Sequence, residues 1–172
     1  MHNLLRLLRY DWPLHTVFLF TNWLPDNVVI LRFRGWLIRP FFGKCGRNFR
    51  VGRNVTFYNP RNIVIGNDVY IAYGNWFSAG KNIVIEDEVT IGPYCIFASS
   101  NHSKFNGSFR HGTPDKKPIL VGHGSWIAGQ CSILAGSKIG KGVLVAANSV
   151  VNGKIDNNMM CAGSPARSIK EV

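Results

Sequence analysis

One imidazole in this chain stands where it could do chemistry. His102 closes the run Phe97-Ala98-Ser99-Ser100-Asn101-His102, and the sixteen residues after it, 103–118 (SKFNGSFRHGTPDKKP), follow no pattern of the flanking sequence. Excursions of that length inside a compact fold are uncommon and usually functional. Imidazole suits general-base work because its unperturbed pKa lies near neutrality. His111, inside the excursion, is the alternative base, and His123 reads as a corner residue. Asn75 is a second candidate, since Val55, Val69 and Val89 hold the equivalent position elsewhere. A buried amide must find partners, so Asn75 is either a structural ladder residue or a substrate ligand. A third candidate is the tail, where Arg167 and Lys170 follow the turn former Gly163-Ser164-Pro165. Lys154 is a weaker basic candidate, and a solvated basic terminus is the plain alternative. The cysteines Cys45, Cys95, Cys131 and Cys161 lack metal-type spacing and read as structural thiols of a reducing compartment. No metal ligand set and no G-x-S-x-G elbow is present in the sequence.

These residues must be positioned by a repeat. From Val121 to Val151 an aliphatic residue recurs every sixth position: Val121, Ile127, Ile133, Ile139, Val145, Val151. Neither the helical period nor strand alternation accounts for a strict six. A six-residue period is the signature of a parallel β-helix, each hexad making one short strand and one corner. Three hexads close a triangular coil, and coils stack as in any solenoid. The frame extends back through Ile65, Ile71 and Phe77, then Ile85, Ile91 and Phe97, with Val51 and Phe57 as an incomplete first coil. The predicted architecture is therefore all-β, with residues 51–172 forming the β-helix, loop 103–118 extruded from it and a tail, 159–172, leaving it.

The segments SWIAGQCSILAGSKIGKGVLVAANSVV and CAGSPARSIKE resemble the hexapeptide-repeat acyltransferases. More narrowly, they resemble sugar O-acetyltransferases of the galactoside, maltose, nodulation and surface-polysaccharide type. The resemblance covers about residues 51 to 172. It implies a left-handed helix, a homotrimer and acetyl-CoA as donor; from the residues, no metal is expected. It also implies that His102 is the catalytic base and that Asn75, Asn101 and Trp126 meet the acceptor. On the donor side it implies that Trp126 lines the pantetheine groove, that Gly129 supplies an oxyanion amide and that the Ala147 amide holds the arm. Basic residues in the positions of Lys154, Arg167 and Lys170 would meet the nucleotide phosphates. Transfer is direct, within a ternary complex, with no serine or cysteine nucleophile.

The chain has 172 residues, 46% of them hydrophobic, enough for one continuous core. Its formal charge of +11 would suit nucleic acid. No nucleic-acid motif appears, and a polyphosphate donor explains part of the charge. Residues 1–50 lie outside the hexad frame and read as a helical cap over the open end of the solenoid. A first helix is predicted to end before Trp12-Pro13, and a second to run from Asn27 to Phe42 with Asp26 or Asn27 as its cap. The apolar run between them is too short to span a bilayer. The segment carries eight basic side chains (Arg6, Arg9, Arg32, Arg34, Arg39, Lys44, Arg47, Arg50) against Asp11 and Asp26. Interleaved Trp12, Phe18, Phe20, Trp23 and Trp36 are of the kind that favours a membrane interface. Peripheral contact with anionic membrane at the cytoplasmic face is therefore expected, in a cytoplasmic protein.

The expected function is acetyl-CoA-dependent O-acetylation of a sugar hydroxyl in surface polysaccharide or glycolipid synthesis. The alternatives are an N-acetyltransferase of an amino sugar, an antibiotic-type acetyltransferase, and a non-catalytic β-helix. A γ-class carbonic anhydrase is disfavoured because its H-x4-H pair is missing.

Overall fold

A computed structural model describes residues 2–172. Its body is a parallel β-helix of six coils whose three flat faces, A, B and C, are parallel sheets. Coil 1 uses Lys44–Cys45 on face A, Arg50–Val51 on B and Thr56–Tyr58 on C. Coil 4, above the excursion, uses Ile119–Val121, Trp126–Ile127 and Ser132–Leu134. Register is kept throughout: Ile65 pairs with Ile85, Ile85 with Val121, and Val121 with Ile139. Each hexad's first residue therefore stacks on its equivalent inside the prism, and Ile65, Ile71, Ile91, Ile127, Ile133 and Val145 are buried. Burying one such side chain contributes roughly 1.5–3 kcal/mol, which is why the period is kept so strictly.

On face C the column is aromatic. Phe57, Phe77 and Phe97 stack with centroids 4.9 and 4.6 Å apart, and Phe42 meets Phe57 edge-on at 5.0 Å to close the column from below. Two edges of the prism turn by one device. The A/B edge carries left-handed residues at Asn48, Asp68, Glu88, Gly124, Gly142 and Asn158, and the B/C edge at Asn54, Gly74, Tyr94, Gln130 and Asn148. The C/A edge has no such regularity, and its connections vary from two residues (Asn152-Gly153) to the long excursion before Ile119. Insertions are accommodated there without disturbing the other two edges.

Three parts of the sequence reading are corrected. Coil 1 is complete, because Lys44 and Cys45 pair with Val64 and Ile65. The tail does not leave the solenoid: Met159–Gly163 adds a rung to face B, and Ala166–Glu171 returns antiparallel to it. The first helix does not end before Trp12. Helix α1 (His2–Arg6) passes through a π turn (Leu7–Asp11) into α2 (Trp12–Thr21), with Pro13 in the first turn of α2. Proline lacks an N–H, and Pro13 comes directly after the π turn, where the regular i→i−4 ladder is already interrupted. Helix α3 (Val28–Ile38) is capped by Asn27, whose side chain accepts from Ile30 N at 3.0 Å.

The cap is docked by Arg34, which is wholly buried. Its guanidinium donates to Thr21 O at 3.1 Å, to Asp26 Oδ1 at 3.1 Å and to Val51 O at 2.7 Å. One side chain thus joins α2, the interhelical link and coil 1. Burial lowers the Arg34 pKa and Asp26 works against that shift. Gly35 permits the close approach: a Cβ there would lie 2.0 Å from Phe49 O.

Candidate functional site

His102 lies on the irregular C/A edge, directly after Ser100–Asn101, a short strand that pairs antiparallel with Asp115–Lys116. The excursion is therefore a hairpin, and His102 stands exposed at its mouth. Its position is fixed from both sides. Below it, buried Ser99 donates to Lys81 O at 2.7 Å and accepts from Lys81 N at 2.9 Å, tying coil 3 to coil 2. Above it, Ser103 Oγ donates to Thr113 O at 2.5 Å, and Gly112 lies so close that a Cβ would sit 1.9 Å from Ser103 O. Sequence reasoning missed Ser99, Ser103 and Gly112 as positioning residues. Of the two glycines inside the excursion, Gly112 was the available signal. His111 lies exposed further out on the hairpin, and His123 is on the A/B edge, 3.8 Å from Glu88. Asn101 is exposed on the hairpin stem, in register with Asp115.

Asn75 is turned into the prism. It is 1% exposed and belongs to an internal ladder along the B/C edge. Its amide donates to Ala72 O at 2.7 Å and Gly92 O at 3.0 Å, and its oxygen accepts from Cys95 N at 2.9 Å. The ladder continues through Cys95 Sγ to Ala128 O and Cys131 Sγ to Ala146 O, each 3.1 Å, and ends at Ser149, which accepts from Gly163 N at 3.2 Å. The resemblance places Asn75 against the acceptor; here both amide hydrogens and one lone pair of its oxygen are engaged inside the prism, which favours the ladder role. Cys95, Cys131 and Cys161 are sealed in the prism, and burial raises the Cys161 pKa. Cys45 is pushed up to about 12 by burial. Among the described residues, no group of three or more histidine, cysteine or acidic side chains could hold a metal ion.

The donor-side candidates divide between two parts of the prism. Trp126 projects from face B and is half exposed. Gly129 and Ala147 stack on the B/C edge, where the ladder bonds are Ala128 N to Val145 O and Asn148 N to Gly129 O. Lys154 and Arg167 share a shallow cleft of about 340 Å³ with Gly153 and Ser168 at the end of the solenoid. Lys154 is paired there with Asp156 at 2.6 Å. The cleft lies on the C/A edge, where Gly153 is two coils above His102; at 4.7–4.9 Å per rung that is roughly 10 Å along the axis. Lys170 is exposed and lies outside the cleft, beyond a bulge in the returning strand. Within one chain, face C separates His102 from Gly129 and Ala147.

No protein-family profile matches the chain. It is, however, 32% identical to an Escherichia coli protein named as a lipopolysaccharide biosynthesis O-acetyl transferase, over 89% of this chain and 84% of that one. Its fold superposes on a hexapeptide-repeat acetyltransferase of Vibrio cholerae, solved with acetyl coenzyme A. The TM-score is 0.81 and the identity 29%, covering 92% of this chain and 85% of the other. A maltose O-acetyltransferase of Clostridium difficile superposes with a TM-score of 0.84 at 26% identity, over 98% and 88% of the two chains. Fold and relatives together define the class, and the protein is an acyltransferase built on a β-helix. Within that class, the chain belongs to the hexapeptide-repeat acetyltransferases.

Proposed function

We propose that the chain moves an acetyl group from acetyl-CoA to a saccharide hydroxyl in one direct step, with His102 as general base. Relatives that are sugar O-acetyltransferases or hold acetyl-CoA support the donor and the acceptor class. The observation that carries the reading is the exposed imidazole at the hairpin mouth, on the same edge as the basic cleft. An imidazole nitrogen of His102 accepts the hydroxyl proton as the acceptor oxygen attacks the thioester carbonyl. The tetrahedral oxyanion forms beside the Gly129 amide, where one preorganised donor is worth about 2.7–4 kcal/mol. Collapse breaks the C–S bond, and the CoA sulfur takes the proton from the imidazolium.

Lys154 and Arg167 fit the donor's phosphates, with Lys154 shared between the ligand and Asp156. Trp126 lies along the pantetheine path, the Ala147 amide holds the arm, and Asn101 faces the acceptor beside His102. Because His102 and the Gly129 amide lie on different edges of one prism, the complete site is built between neighbouring copies of a homotrimer.

His102→Ala should lower turnover by about 10²–10⁴-fold while leaving acetyl-CoA affinity intact, because a general base acts mainly on the chemical step. Labelled acetyl-CoA with a panel of saccharide hydroxyl and amine acceptors reads the effect. Wild-type turnover in the variant, or label passing only to amines, overturns the proposal.

A further inference from the structure

The cap is apolar on both sides. Its inner side is expected to be so, since Leu14, Phe18 and Ile38 belong to one core cluster with the coils. Its outer side is not covered by any of the described residues. Trp12, Leu19 and Trp23 follow at intervals of seven and four along α2 and its C-terminal link, with exposures of 59, 67 and 76%. Val29, Phe33 and Trp36 follow at four and three along α3, exposed by 74, 44 and 65%. A surface helix of a soluble domain normally turns a polar face outward.

The charges around this surface indicate what covers it. Arg9, Arg32, Arg39, Lys44 and Arg47 are exposed on the cap and coil 1. The two acidic residues of the first fifty are both engaged inward: Asp11 accepts from Asn59 N at 3.1 Å, and Asp26 holds Arg34 and the Arg53 amide. Arg34, counted with the basic residues from sequence, is buried and excluded from the surface charge. Lys44 and Arg47 lie beside Asp87 of the coils, so what remains is a tryptophan-rich apolar surface rimmed by Arg9, Arg32 and Arg39. A second copy of the chain would bring the same positive rim against its own. An interface of headgroups and acyl chains matches both features, because tryptophan prefers that depth and arginine meets anionic headgroups. No helix among the described residues is long and apolar enough to cross a bilayer, so contact is in-plane.

We propose that the outer face of the cap binds an anionic lipid bilayer, inserting Trp12, Trp23, Phe33 and Trp36 between headgroups with the arginines on phosphate. The inference does not depend on the chemistry assigned to His102.

The test is sedimentation of the full chain with vesicles of phosphatidylcholine containing phosphatidylglycerol. Binding is expected only with the anionic lipid and falls as salt rises. Arg9→Gln/Arg32→Gln/Arg39→Gln should weaken it by roughly 100-fold, and brominated lipid should quench tryptophan emission. Trp12→Ser/Trp23→Ser/Trp36→Ser should abolish both signals while acetyl-CoA binding, measured in the same preparation, stays at the wild-type level and shows the variant folded. Binding that ignores lipid charge, or no binding at low salt, overturns the proposal. So does a smaller assembly for the triple-tryptophan variant than for wild type in lipid-free buffer, which would make the face a contact between copies.

Discussion

Replacing Asn75 with alanine separates the two roles an amide could have at that position. The change leaves Cys95 N–H and the carbonyls of Ala72 and Gly92 without a partner inside the prism. At about 1–3 kcal/mol for each buried group left unpaired, a loss near 3 kcal/mol is expected. Denaturant unfolding should show it, with the acceptor KM unchanged where the protein is folded. Unchanged stability with a raised KM would return Asn75 to the substrate. The sequence could not decide between these roles, because period six places the residue at an inward position without saying whether its partners come from the ladder or a ligand. His102 stood out as a candidate more plainly, since the frame breaks immediately after it and a break is visible in a strict repeat. Ser99 and Ser103 were not, because small hydroxyl residues are ordinary at corners, and their roles depend on what coil 2 and the far end of the hairpin bring near them.

Elements behaved in the same way, legible where the period held. Faces B and C follow the frame from Val51 and Phe57 to Val151 with no exception. The solenoid was misread at its two ends, where the frame loses its signal. Cys45 opens coil 1 without a branched aliphatic side chain, and Ile155 follows Val151 by four positions because the last C/A connection is only two residues long. The returning strand Ala166–Glu171 is antiparallel, so no six-residue period could announce it. That strand decides which basic residues can act together. Lys154 and Arg167 meet in one cleft and Lys170 does not. Lys154→Ala with Arg167→Ala should therefore weaken CoA binding by about tenfold or more, given roughly 1.5–3 kcal/mol for hydrogen bonds to charged groups, discounted for exposure. Lys170→Ala should leave it near the wild-type value. Calorimetric titration with CoA and dephospho-CoA measures both, and a larger loss for CoA assigns the cleft to the 3′-phosphate. An equal effect from Lys170→Ala would disperse the contact along the tail.

At the scale of the whole molecule, the arrangement of edges bears on how the proposed active unit would be assembled. His102 belongs to the C/A edge, whereas Trp126, Gly129 and Ala147 belong to face B and the B/C edge, and the flat face C stands between them. A rigid prism cannot fold one edge onto another. If His102 and the Gly129 amide act on one reacting carbonyl as proposed, they come from two chains, and a closed ring of copies would provide as many such sites as chains. Mixing two defective variants tests this without any structure of the assembly. His102→Ala and Trp126→Ala chains are each expected to be impaired alone. In mixed assemblies from equal co-expression, an intact site needs an unaltered His102 from one chain and an unaltered Trp126 from its neighbour. Random mixing makes about a quarter of the sites intact in a heterologous ring. Turnover of the co-expressed material should rise toward that fraction of the wild-type rate, and mixing after separate purification should give none unless chains exchange. If co-expression never exceeds the two variants alone, His102 and Trp126 act within one chain, and the donor must reach around face C to meet them both.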